Sequence, residues 1–387
     1  MKRSPIFTLL FTIFIDLLGF SIIMPILAPY IKHLNASGVQ LGIIMGVYSI
    51  MNFICAPLLG ALSDRIGRRP VLLVTIAIGF FAHLSFSQAT SLLALFLTRM
   101  LAGIGSANIT VAQAYISDVT PPQDRAKAMG LIGAAFGIGF VFGPPIGGYI
   151  YTHFAFQYIG YLSAALCLIN FLLAYFTLPE SLTERDNAEK FSLRNILIGL
   201  GESARNKAIN KYFLLAFILI AAFSLMQSTI TLLFKDGYGL TEEQGSYMMA
   251  YVGVLMAIVQ IFLIGFFSKR LGEWRMIVYG NALMAVGLGL IPFGPFWLQF
   301  IYFALVAVAN GMVGPALSAM ISKNTAPQHQ GRVFGAYQSF GSLARGIGPL
   351  VGGILYGINF TFPYITAGLI MVLCVGVSLL LIRRPDV

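Results

Sequence analysis

Gly60-Ala-Leu-Ser-Asp-Arg-Ile-Gly-Arg-Arg-Pro70 is a compact polar loop with three arginines and one carboxylate, and a long apolar run lies on each side of it. Shifted by 205 positions, Gly265-Phe-Phe-Ser-Lys-Arg-Leu-Gly-Glu-Trp-Arg275 reads as a decayed second copy. Gly60/Gly265, Arg65/Arg270 and Gly67/Gly272 coincide. The same shift pairs Ser117/Ser322, Thr120/Thr325, Pro122/Pro327, Gly130/Gly335, Gly143/Gly348, Pro144/Pro349, Gly147/Gly352, Gly148/Gly353 and Tyr151/Tyr356 without a gap. One constant offset over that much chain implies two related halves.

The chain has 387 residues, of which 58% are hydrophobic and 10% charged, and its mean hydropathy is +0.85. Soluble domains carry about 25% charged residues, so this is a membrane protein through most of its length. Apolar runs of spanning length fall at 6–30, 41–62, 71–89, 92–116, 128–151, 158–178, 212–234, 245–266, 276–293, 297–321, 333–356 and 362–382. They predict an all-α membrane protein with twelve spans, as an N-terminal six-helix half (1–178), a cytoplasmic linker (179–211) and a C-terminal six-helix half (212–387). Met1-Lys-Arg-Ser-Pro5 leads into the first run with no small-residue cleavage site, so that run is expected to be a retained span.

A net charge of +10 might suggest nucleic acid, but its distribution argues otherwise. With both termini cytoplasmic, 20 of the 24 Lys and Arg fall in cytoplasmic segments. That is the positive-inside pattern, so the basicity is a topology signal and no nucleic-acid partner is implied. Within the linker, Phe191–Leu200 suits either a short amphipathic helix on the inner surface or a plain tether. Cys55, Cys167 and Cys374 lie inside apolar runs without metal or redox spacing and read as packing residues. No nucleophile triad, metal-ligand set or phosphate-binding loop appears. The chain reads as a non-enzyme without cofactor or metal, energised by an ion gradient. Its expected partners are a small-molecule substrate, protons and the lipid bilayer, and it is expected to act as a monomer.

Ionisable groups inside the spans are the candidates for mechanism, since such groups are expensive there and usually functional. Asp16 is the only carboxylate deep inside a span, where a charge costs at least ~2.5 kcal/mol. It is a candidate proton carrier; the alternative is a structural hydrogen-bonding role. Arg99 lies in span 4, where a snorkelling role is the alternative. Arg345 sits in span 11, where the first-half equivalent is Phe140. It reads either as a counter-charge for an anionic substrate group or as a structural partner for Asp16. Tyr48, Asn52, Asn108, Gln113, Gln227, Gln260, Asn281, Asn310 and Gln338 are polar positions that would line a cavity, although each could instead bond a neighbouring helix. His83 is similar, with satisfied packing the favoured reading. Gly143-Pro144 and Gly348-Pro349 occupy matching places in spans 5 and 11 and would make a bendable, tightly packed seam.

Gly60–Pro70 resembles the cytoplasmic signature between spans 2 and 3 of the major facilitator superfamily. Leu97-Thr-Arg-Met-Leu-Ala-Gly-Ile-Gly105 resembles its fourth-span motif. Gly133–Gly148 and Asp16–Pro25 resemble the fifth-span and first-span motifs of its drug/proton antiporters. Phe53–Leu73, Gly314–Ser322 and His329-Gln-Gly331 are similar to the tetracycline/proton antiporters. This chain departs from those pumps in carrying Asn52 for a glutamine, Ala82 and Met284 for carboxylates, and Met256 for a histidine.

The resemblance implies the major facilitator fold and a place in a bacterial inner membrane. It also implies alternating access and proton-coupled export of amphiphilic compounds, with Arg99 acting alongside Asp16. Asp64 with Arg65, Arg68 and Arg69 would form a cytoplasmic latch with Asp118, seated at the N-terminus of span 11. Arg345 and the absent carboxylates leave an anionic, siderophore-like metabolite as the alternative substrate. A non-transporting receptor fits the intact motifs of both halves poorly.

Overall fold

The structure is a computed structural model that describes residues 5–120, 125–181, 209–325 and 330–382. Among the described residues the chain is helical, with no strand. The helices are α1 (Pro5–His33), α2 (Gly38–Ile66), α3 (Arg68–Ser87), α4 (Leu92–Gly105), α5 (Asn108–Val119), α6 (Arg125–His153), α7 (Phe156–Thr177), α8 (Asn210–Tyr238), α9 (Glu242–Ile258), α10 (Ile264–Leu290), α11 (Phe296–Lys323), α12 (Gln330–Ile358) and α13 (Phe362–Ile382). Each of the twelve apolar runs falls on helix. The linker helix considered for Phe191–Leu200 lies outside the described residues, as does His329.

Two of the runs depart from simple rods. The fourth is broken at Ser106 and Ala107 into α4 and α5. Gly103 and Gly105 stand just before the break, where a Cβ on Gly103 would meet Met51 of α2 at 2.9 Å and one on Gly105 would meet backbone of Gly79 in α3 at 2.9 Å. Close approach of three helices therefore selects glycine, and glycine weakens the helix there. The eighth run passes through a π-helical turn, Val259–Leu263, before α10, a feature frequent at functional sites.

The repeat read from sequence reappears in the backbone. Gly67, between α2 and α3, has φ 109° and ψ 151°. Its counterpart Gly272 has φ 72° and ψ 161° and kinks α10 into two rods. That region of φ and ψ is essentially restricted to glycine. The polar loop and its decayed copy are thus the same tight link, although only the two glycines, one serine and one arginine still match.

The chain divides into two compact units. The first comprises Met1–Leu34, Val47–Leu197 and Glu242–Ala250; the second comprises Asn35–Gly46, Ile198–Thr241 and Tyr251–Val387.

In the first unit, Leu9, Ile13 and Leu17 recur at four-residue spacing on α1 and pack with Val71 and Leu72 of α3 and with Val111, Tyr115 and Ile116 of α5. On another face, α1 meets α6 where Gly139 and Gly143 leave room for Leu17 and Ser21, and the Ser21 hydroxyl donates to the Gly139 carbonyl at 2.7 Å. The second unit repeats that seam. Gly348 and Gly352 of α12 receive Ser224 and Ser228 of α8. Gly38, Gly42 and Gly46 of α2 also lie in this unit, against Gly353, Leu350 and Gly346 of α12, with a Cβ on Gly42 placed 2.7 Å from Leu350 backbone. Small residues spaced by four allow this backbone-to-backbone approach.

Candidate functional site

The candidate site is a recess inside the first unit, with about 300 Å³ of empty space when its open mouth is included. Its walls come from α1 (Asp16, Phe20), α2 (Tyr48), α3 (Gly79, His83) and α4 with the following break (Arg99, Ala102, Gly105, Ser106). Asp16 and Phe20 stand one helical turn apart, which places both on the same face of α1.

Asp16 Oδ2 accepts a hydrogen bond from Asn108 Nδ2 at 2.5 Å. Asn108 is the first residue of α5, so the break after α4 is what turns its amide toward α1. The Asn108 Oδ1 is buried without a partner among the described residues. Arg99, 2% exposed, lies against aromatic rings: its guanidinium is 4.5 Å from the Tyr48 centroid and 5.9 Å from that of Phe20. The two rings are 5.0 Å apart. Arg99 Nε has no hydrogen-bond partner among the described residues. The ion pairs among the described residues do not include Arg99 with Asp16, so the two share the recess without touching. Asn52 Nδ2 donates to Ser106 Oγ at 2.9 Å at the recess wall. Asp16, Arg99, Tyr48, Asn52 and Asn108 are thereby brought together.

The other polar positions sit elsewhere. Gln113 is half-buried on α5 and does not line the recess. Asn281 is fully buried between α10 and α13, where its Nδ2 donates to Ser378 Oγ at 3.1 Å. Asn310 lies 3.9 Å from the Met256 sulfur. Gln227 is buried on α8 and Gln338 is half-buried on α12. The side chain of Gln260 lies outside the described residues. Arg345, half-buried on α12, donates from Nη2 to Ser342 Oγ at 3.1 Å, and its carbonyl accepts from Ser224 at 3.3 Å.

At the opposite end of the first unit, Arg68 gathers the polar loop. It reaches Asp64 at 2.5 Å, Ser63 Oγ at 2.6 Å and Asp118 at 3.2 Å, while Arg65 is exposed. The carboxylate at a helix N-terminus here is Glu180, which follows α7 and accepts from the backbone N–H groups of Arg68 at 2.9 Å and Arg69 at 3.2 Å. It seats against the bare Cα of Gly67. Arg69 completes the cluster by donating to the Tyr175 carbonyl at 2.7 Å.

Glu180 lies in the stretch expected to be linker, and an acid a few residues past an apolar run is the sequence signal for it. His83, which the sequence groups with the polar cavity candidates and favours as a packing residue, lines the recess. Its neighbour Ala82 is fully buried; one residue turns a helix by about 100°, so the two side chains leave α3 in different directions.

A Major Facilitator Superfamily family model matches residues 9–280 and 212–387. The chain is 31% identical over 368 residues to the tetracycline resistance protein, class C, of Escherichia coli, covering 92% of this chain and 91% of that one. It is 29% identical over 389 residues to multidrug resistance protein 2 of Bacillus subtilis (strain 168), covering 98% and 95%. Among solved structures, the human organic anion transporter MFSD10 (TETRAN) superposes with a TM-score of 0.76 at 23% identity, covering 97% of this chain and 99% of that one. An inward-facing, occupied bacterial homolog of the human lysosomal transporter Spinster gives 0.81 at 14% identity, with 98% of each covered. Fold, repeat and family model agree: this chain is a transporter belonging to the Major Facilitator Superfamily.

Proposed function

We infer that the protein is a proton-coupled antiporter that exports amphiphilic organic compounds, tetracycline-like drugs among them, across a bacterial inner membrane by alternating access. The observation that carries this reading is the membrane-embedded carboxylate of Asp16, facing an aromatic recess that it shares with a buried arginine. A proton bound there removes a charge from the bilayer interior, so occupancy by a proton changes the energy of every state that encloses the recess. Phe20 and Tyr48 offer π-faces to a planar or cationic amphiphile, and such a ligand competes with Arg99 for them. Names of relatives, tetracycline resistance and multidrug resistance, support the same substrate class.

On this reading residues 1–178 and 212–387 are the two halves, joined by a cytoplasmic linker over 179–211, and both termini are cytoplasmic. Arg345 is a candidate substrate contact, whereas the relatives by sequence are named for tetracycline and multidrug resistance rather than for an anionic metabolite. The test is uptake into inverted vesicles or proteoliposomes driven by a pH gradient. Asp16→Asn should bind tetracycline yet fail to accumulate it; uphill accumulation by that variant would rule the reading out.

A further inference from the structure

The recess holds a titratable side chain that coupling through Asp16 alone leaves without a role. His83 is 8% exposed and lines the recess, but forms no hydrogen bond with the described residues. Its ring lies over the bare backbone of Gly19, with Nε2 3.3 Å and Cε1 3.6 Å from where a Cβ would stand. Gly19 and Asp16 are three residues apart on one face of α1. The imidazole is therefore seated one step along the same helix face from the carboxylate. The Asp16 carboxylate uses Oδ2 for Asn108, and Oδ1 accepts nothing from the described residues.

Depth gives the arrangement a direction. The Tyr30 hydroxyl donates to the Ala89 carbonyl at 3.0 Å, which brings the ends of α1 and α3 level. From that level the His83 backbone is roughly 9 Å down α3, whereas Asp16 is roughly 21 Å down α1, at 1.5 Å per residue. In the orientation proposed above, His83 stands on the outer side of Asp16.

We propose that His83 delivers the proton to Asp16: its imidazole takes a proton from external water and passes it across the recess to the Asp16 carboxylate. In the first step a ring nitrogen lone pair binds a proton from water, giving imidazolium. In the second an N–H bond breaks, the pair stays on nitrogen, and the proton bonds to a carboxylate oxygen. Histidine ends neutral, Asp16 ends as the carboxylic acid, and nothing is oxidised or reduced. The groups facing His83 suit this transfer. Asp16 comes from α1, Tyr48 from α2, Arg99 from α4, and Cys167 of α7 packs beside Gly79 one turn along α3. Asp16 is the one carboxylate among them, and Arg99 is the one fixed positive charge.

The inference rests on Asp16 as the coupling carboxylate, and the experiment separates the two. Wild type, Asp16→Asn, His83→Gln and His83→Ala are reconstituted in proteoliposomes, and accumulation of tetracycline and of a lipophilic phosphonium is followed under a pH gradient. His83→Gln keeps the bulk without the titration. It should bind tetracycline within about twofold of wild type and melt at the same temperature, but accumulate it about tenfold more slowly, because proton transfer shares rate control with conformational steps. Imidazole loaded into the lumen, which the external face of the accumulating (inverted) protein lines, should restore His83→Ala several-fold and leave Asp16→Asn inactive. Wild-type rates in His83→Gln, or slow variants that imidazole leaves unchanged, overturn the delivery role. Uphill accumulation by Asp16→Asn overturns the coupling role of Asp16 instead, whatever the histidine variants do.

Discussion

Asp16 and Asn108 are 92 residues apart in the chain and in direct hydrogen-bond contact. Replacing Asn108 by Leu leaves a buried carboxylate without its donor. The expected loss is about 1–3 kcal/mol of stability, read as a lower melting temperature, together with an altered pH profile of transport. A change in stability with the pH profile untouched would make Asn108 a helix-packing residue only. At the other end, Glu180 holds two backbone N–H groups at the start of α3. Glu180→Gln keeps the geometry and removes the charge, and should lower stability by about 1 kcal/mol, the scale of a capping and helix-dipole interaction. Calorimetry at low and high salt checks both size and origin, because the dipole share is screened.

The elements are shaped by where glycine stands. Gly67 has a backbone conformation closed to other residues, and a Cβ there would also stand 2.9 Å from the Glu180 carboxyl carbon. Gly272 has the same conformation with nothing within 4 Å. Gly67→Ala and Gly272→Ala should therefore both lower stability through strain, by about 1–3 kcal/mol. The first should lose more, and the excess should vanish in a Glu180→Ala background. Equal losses in both backgrounds would show that strain alone is at work. In α12, Gly348→Val places a side chain against Ser224 Cβ at 2.7 Å and Leu225 N at 2.9 Å, which prises α12 from α8. Loss of transport with retained expression is the expected outcome, measured in the same vesicles.

Across the molecule the two halves hold their polar links with opposite charges. Arg68 pairs with Asp118; at the same repeat positions Glu273 pairs with Lys323. The helix start explains the inversion. In the first half the positive end of α3 is met by Glu180, which frees position 68 to be basic. In the second half Glu273 is itself the acid after the kink, so its partner must be basic. Lys323 holds the Glu273 carboxyl below its ordinary range, chiefly through their hydrogen bond. A lowered folded value contributes stability that is present at neutral pH and lost as pH falls through it. The pair is partly exposed, so the contribution stays below about 1 kcal/mol. Glu273→Lys and Lys323→Glu should each lower the melting temperature at pH 7, and the double exchange should recover most but not all of it. At a pH below the ordinary carboxylate range Glu273→Gln should match wild type. A double exchange as unstable as the sum of the single ones would mean that the pair is not coupled.

Composition, run length and the repeat offset determined by themselves that the chain is helical, spans a membrane and is duplicated. The bilayer forces each span to satisfy its backbone internally, so local sequence is enough. The same logic made Asp16 and Arg99 visible, because a charge in an apolar run announces itself. Which polar residues meet was decided only by tertiary structure. Asn108 reaches Asp16 because α4 ends three residues earlier, and Asn281, also a polar residue in an apolar run, faces Ser378 instead. His83 rather than Ala82 lines the recess because one residue rotates a helix by about 100°, and the direction of that face depends on how α3 packs on its neighbours. Glu180 caps α3 from 112 residues away. Such contacts follow from how helices are placed against each other, and no window of sequence contains that information.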